Sequence, residues 1–210
     1  MKSVLCYGDS NTWGANPATG ERYPRHERWP GVMALELGDE YDVIAEGLCG
    51  RTTVLPDPLE PALNGRTYLV PCLNSHAPLD LVIILLGTND LKTRFSLPAV
   101  DIAGGAGVLV DIVKRSGTGP GGRPPAVLLV APPPILDVPV DPESFADGQA
   151  RSREFGRLYR RVAQLLGCHF LDAGEIIRSS ATDGIHLDAG EHRKLGQACA
   201  ERARAILAGC

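Results

Sequence analysis

Residues 3–14 read SVLCYGDSNTWG, an apolar run from Ser3 to Tyr7 that stops at Gly8-Asp9-Ser10-Asn11. The run has no polar face, as expected of a strand buried on both sides within a parallel sheet. Gly8 lets the backbone turn closely, and Ser10 then stands where a helix would begin. That position puts a hydroxyl and a helix-start amide together at the carboxyl edge of the sheet. Read alone, the same turn equally suits a serine that merely caps a helix.

Further runs of this kind occupy residues 41–45, 81–86 and 127–131, with a weaker fifth at 168–171. Helix patterns separate them. Residues 29–37 carry Trp29, Val32, Met33, Leu35 and Leu37 and stop at Gly38. Residues 98–113 align Ile102, Ala106, Leu109 and Val113, although Gly104, Gly105 and Gly107 weaken that helix. Residues 150–166 form another. The last opens at Asp188 with Glu191 as a capping-box partner and an inner stripe of Leu195, Cys199, Ala203 and Ile206. Strand–helix alternation over five parallel strands predicts an α/β fold, a three-layer α/β/α sandwich in one domain spanning residues 1–210.

The composition excludes several classes. Of 210 residues, 44% are hydrophobic and 22% charged, and the formal net charge of −4 offers nucleic acid or an anionic membrane no broad attraction. The basic cluster 151–161 interleaves Phe155, Leu158, Tyr159 and Val162 at helical spacing, so it reads as a solvated helix face. No apolar stretch is long enough to span a bilayer. Cys6, Cys49, Cys72, Cys168, Cys199 and Cys210 lack metal-binding spacing and read as reduced core thiols. With no leader visible, the expected location is cytoplasmic. The glycine- and proline-rich stretch 117–125 precedes a strand and lacks a phosphate-loop ending, which excludes nucleotide binding there. Two long irregular stretches, 16–28 and 132–148, lie beyond strand ends, where α/β sheets bind ligands.

Three further elements carry chemistry. Asp183-Gly184-Ile185-His186 sets a carboxylate three residues before a histidine, able to fold back onto its Nδ1 and hold it as a base. Asn89, in Gly87-Thr88-Asn89-Asp90, follows the most hydrophobic strand and could donate its amide to an oxyanion. Gly50, in Gly47-Leu48-Cys49-Gly50, could offer a backbone amide. Each alone also reads as an ordinary turn. Together, at one predicted sheet edge, they supply nucleophile, base, orienting acid and oxyanion donors.

This pattern resembles the SGNH hydrolases, the GDSL esterase/lipase superfamily, whose four blocks match Ser10, Gly50, Asn89 and the Asp183/His186 pair in order. The strings CYGDSNTWG, ERWPGV, EGLCGRTT, APLDLVIILLGTND, VAPPP and FLDAGEIIRSSATDGIHLD are similar to a bacterial arylesterase/acyltransferase and carbohydrate acetylesterase subgroup. The resemblance implies a flavodoxin-like sheet and a triad of Ser10, Asp183 and His186. It also implies an oxyanion hole from the Ser10 and Gly50 amides with Asn89, and no metal or organic cofactor. It further implies short-chain acyl esters, acetyl above all, as substrates, acyl transfer to alcohols, and a homo-oligomer such as the octamers of that subgroup. Asn11, Trp13 and Ile185 flank the triad in sequence and are candidate substrate-pocket walls. The rival readings are a carbohydrate O-acetylesterase or thioesterase on the same triad, a non-catalytic α/β binding module, and, more remotely, a metal-dependent phosphoesterase using Asp9, Asn89, Asp183 and His186.

Overall fold

Five residues of the opening segment, Val4–Gly8, pair on both sides at once. The computed structural model describes residues 1–138 and 141–209, and in it β1 (Lys2–Gly8) lies between β2 (Tyr41–Gly47) and β3 (Leu81–Leu85). β4 (Ala126–Ala131) and β5 (His169–Asp172) complete a parallel sheet of order β2-β1-β3-β4-β5. The expected five-stranded, flavodoxin-like sandwich is the fold observed.

Period-two alternation explains the layers. Leu5, Tyr7, Val82, Ile84, Val127 and Leu129 face one core, covered by α3 (Gly65–His76), α4 (Ala99–Arg115) and α6 (Phe155–Leu166). Val4, Cys6, Leu81, Ile83, Leu128 and Val130 face the other, covered by α2 (Trp29–Leu37) and α7 (Ala189–Ala208). The predicted stripe of α7 is buried throughout. Gly105 of α4 has a packing reason: a Cβ there would lie 2.4 Å from Thr53 Oγ1, so the bare backbone admits the loop after β2, whereas Gly104 faces open space.

Several expectations need correction. The 150–166 segment is two helices, α5 (Gly148–Ser152) and α6, separated at Arg153-Glu154. The Asp188/Glu191 capping box does not form, because tertiary partners claim both side chains. Ser180 Oγ donates to Asp188 Oδ1 at 2.9 Å, and the Arg178 amide donates to Glu191 Oε2 at 2.9 Å. α3, absent from the sequence reading, is capped by Asn64, whose side chain accepts from the Arg66 amide, and carries Pro71 in its interior. The thiols are not uniformly core residues: Cys6, Cys72 and Cys199 are buried, Cys168 is half-buried and Cys49 is exposed. Cys210 lies outside the described residues, as do residues 139 and 140 of the 132–148 stretch. No helix among the described residues is long and apolar enough to cross a membrane.

Burial loads the interior with groups whose titration opposes folding at neutral pH. Desolvation raises the Asp9 carboxyl to about 6 and that of Asp90 to about 7, and lowers the His192 imidazole to about 4. A raised carboxyl means that the folded state holds more protons than the unfolded chain between pH 4 and 7, so stability falls as pH rises through that window. The depressed His192 acts oppositely between pH 4 and 6.5, but two carboxyls outweigh one imidazole. The denaturation midpoint is therefore expected to be higher at pH 5 than at pH 7.5. Guanidinium unfolding curves at the two values would show it, and a higher midpoint at pH 7.5 would contradict it.

Candidate active site

The register Gly8↔Gly47 and Gly8↔Leu85 brings the carboxyl ends of β1, β2 and β3 level, beside the reversal in strand order where such sheets open a crevice. Ser10 opens the four-residue helix α1 (Ser10–Trp13), with Asp9 at the N-cap accepting from the Asn11 amide at 3.0 Å. The Ser10 side chain faces the loop before α7, where His186 Nε2 lies 2.9 Å from its Oγ. On the ring's far side, Nδ1 is 2.6 Å from Asp183 Oδ2. The serine, the imidazole and the carboxylate thus form one continuous hydrogen-bonded chain.

The Asp183–His186 turn is made to fit. Gly184 sits at φ +80°, and a Cβ there would approach the Asp137 carbonyl oxygen to 2.2 Å. Its own carbonyl accepts from the Leu136 amide at 2.8 Å, and the Ser180 amide donates to the His186 carbonyl at 2.7 Å. Asp183 Oδ1 accepts from the amides of Ile185 and His186, both at 2.9 Å. Burial pushes the Asp183 carboxyl up, but the His186 ring and these two amides outweigh it and hold it below its ordinary value. An ionised Asp183 keeps the ring proton on Nδ1, leaving the Nε2 lone pair for the serine hydroxyl.

Asn89 occupies the short helix after β3 and is 8% exposed. It donates one Nδ2 hydrogen to the Arg51 carbonyl at 3.1 Å, which leaves the other free for an incoming group. Gly50 adopts φ +78°. The amides of Ser10 and Gly50 find no acceptor among the described residues, so both remain available as donors. Among the candidate pocket walls, Asn11 is buried and donates to the Ile185 carbonyl at 3.3 Å, clamping α1 to the histidine loop. Trp13 is half-buried beneath the Arg22 guanidinium, 5.0 Å from its ring, and Ile185 is half-buried against the core.

Sequence reasoning overlooked Arg51 and gave Asp90 no structural role. Arg51 is 2% exposed, stacks over Tyr7 and Tyr68, and donates to the carbonyls of Gly8 at 2.9 Å and Glu46 at 2.5 Å. It ties the serine turn to the loop that carries Gly50. Asp90 accepts from the amide and hydroxyl of Thr53 at 2.9 and 2.5 Å, fixing the same loop against Asn89. A charged residue directly after the Gly50 turn, between two apolar strands, was the available signal.

A family model described as GDSL-like Lipase/Acylhydrolase family matches residues 6–194, most of the chain. The chain belongs to that family. With membership stand the recognised SGNH pattern and the expected class, a carboxylic ester hydrolase. Among solved structures, this acylhydrolase is similar to an aryl esterase of M. smegmatis, with 44% identity and a TM-score of 0.94, covering 99% of this chain and 100% of that one. It is equally similar to a carbohydrate acetylesterase of Sinorhizobium meliloti, with 45% identity and a TM-score of 0.94, covering 98% and 100%. A lipolytic G-D-S-L family protein of Veillonella parvula, 15% identical with a TM-score of 0.65 over 96% and 97%, shares the fold. No curated protein matches the sequence.

Proposed function

We propose that the protein hydrolyses short-chain acyl esters, acetyl esters above all, through an acyl-enzyme on Ser10. The observation that carries this reading is the unbroken chain Ser10 Oγ, His186 Nε2, His186 Nδ1, Asp183 Oδ2, with steps of 2.9 and 2.6 Å. His186 takes the hydroxyl proton as Ser10 Oγ attacks the ester carbonyl, and the carbonyl π pair moves onto oxygen. The Ser10 and Gly50 amides and Asn89 Nδ2 receive that oxyanion. Collapse breaks the bond to the alkoxide, which leaves with the proton from His186. Water, activated by the same imidazole, then attacks the acyl-enzyme and releases the acid and Ser10. An alcohol in place of water gives acyl transfer by the same steps.

Asn89→Ala removes one preformed donor, and kcat for an aryl acetate is expected to fall roughly 10²–10³-fold with little change in KM. Steady-state kinetics checks this, and an unchanged kcat would take Asn89 out of the oxyanion hole.

A second reading, sugar acetates, is favoured by the acetylesterase similarity and by the exposed polar segment that folds back on the site. Arg22 of that segment donates to the Trp13 carbonyl at 2.8 Å while stacking on its ring. A panel of aryl acetates, acetylated sugars and acyl-CoA thioesters, each with and without a competing alcohol, separates the readings. Hydrolysis of aryl acetates that falls when the acyl chain of the aryl ester is lengthened supports the first. Higher kcat/KM on acetylated sugars replaces it with the second, and thioester preference overturns both.

A further inference from the structure

Below the Gly50 loop lies a second group of chemically competent side chains that ester cleavage does not use. Glu46 is the penultimate residue of β2, and Cys72 and His76 lie one turn apart on α3, facing it from the same side of the helix. One carboxylate oxygen, the Cys72 sulfur and one imidazole nitrogen all fall within 4.8 Å of one another. Glu46 Oε1 is already 2.9 Å from His76 Nε2, and Cys72 is buried. A cavity of about 520 Å³, lined by Glu46, Arg51, Asn64, Tyr68 and Pro71, opens beside them.

We propose that Glu46, Cys72 and His76 form a zinc-binding site whose fourth position opens toward this cavity. Thiolate, imidazole and carboxylate together suit a borderline-soft dication, whereas magnesium and calcium prefer all-oxygen sets. Zinc bonds of about 2.0–2.3 Å put tetrahedral donors roughly 3.3–3.8 Å apart, so loading spreads Glu46 and His76 from 2.9 Å by about half an ångström or more, with the Cys72 sulfur already within 4.8 Å of both. The ion takes the place now bridged by the Glu46–His76 hydrogen bond. The proton that His76 Nε2 now donates to Glu46 shifts through solvent to Nδ1, which frees the Nε2 lone pair, and Cys72 releases its thiol proton to solvent, one proton per ion bound.

The neighbouring charges set the terms of binding. Burial raises the Cys72 thiol to about 12, and Glu46 adds to that, while Arg51 favours the thiolate. Arg51 also repels a dication, but it is committed to the Gly8 and Glu46 carbonyls and stacked on Tyr7 and Tyr68. Because a proton must leave, affinity is expected to strengthen as pH rises.

The test is titration of the full chain, stripped by a chelator, with Co²⁺ as spectroscopic probe, followed by Zn²⁺. Expected are one saturating equivalent, a near-ultraviolet thiolate-to-cobalt band with visible bands of a four-coordinate ion, and loss of all of them on adding Zn²⁺. Cys72→Ser should abolish the thiolate band. His76→Ala and Glu46→Gln should weaken binding roughly 10–100-fold. His76 is partly exposed, so its variant is expected to fold and to keep wild-type esterase activity even if Cys72→Ser does not. No saturable binding in the wild type overturns the proposal. So does a band that survives Cys72→Ser, or binding unchanged in His76→Ala, either of which assigns the metal to another thiol such as exposed Cys49.

Discussion

Replacing Ser10 by alanine is expected to lower kcat for aryl acetates by about 10⁶-fold while leaving the fold intact. The expected size follows from the chemistry rather than from packing. Alanine keeps the Ser10 amide, the Asp9 cap and the α1 turn, and removes only the oxygen that would become acylated. His186 then has no hydroxyl to deprotonate, and the oxyanion donors can stabilise only direct attack by water. A residual rate of roughly 10³–10⁴ over water is what those donors alone supply. The check is burst-phase kinetics with labelled acyl substrate: the wild type should accumulate a covalent acyl group and the variant none. A variant with unchanged turnover would refute the acyl-enzyme on Ser10 and revive the metal-based reading.

Asp183→Asn is the second large effect, and it tests a different link. Asp183 Oδ1 receives two backbone amides, so an asparagine there would keep its oxygen on that side and turn its NH₂ toward His186 Nδ1. Two donors cannot face each other, so Nδ1 must become the acceptor and the ring proton moves to Nε2. The imidazole then presents a hydrogen, not a lone pair, to Ser10 Oγ. A loss of about 10⁴-fold in kcat is expected, without loss of fold. It should be partly relieved at high pH, where hydroxide can replace the missing base. A pH–rate profile of both proteins decides it. A fall of less than tenfold would show that Asp183 holds the loop but not the tautomer.

The parts of this site that were legible from sequence are those that depend on neighbours along the chain. Asp183 and His186 are three residues apart, and a turn alone can join them. Ser10, Gly50 and Asn89 each follow an apolar strand, and parallel strands bring such ends level. α3 was illegible because Pro71 lies in its interior and its capping residue is followed by Gly65, two features that usually argue against a helix; burial of Leu69, Cys72 and Leu73 overrides both. The capping box failed for the opposite reason, since a local pattern was present but Arg178 and Ser180 reached its members first. Arg51 was hidden because its partners, Gly8 and Glu46, meet only once β1 and β2 are in register.

The 176-residue separation between Ser10 and His186 carries a consequence for biosynthesis. Chains fold broadly from the end made first, and the serine leaves the ribosome long before its histidine is translated. Even then the histidine loop has nothing to rest on until β4 has joined β3 and the Leu136 amide can hold Gly184 in place. A nascent chain therefore carries an alcohol of ordinary reactivity. Esterase activity appears only when the sheet has closed, so the fold serves as the safety catch on its own nucleophile.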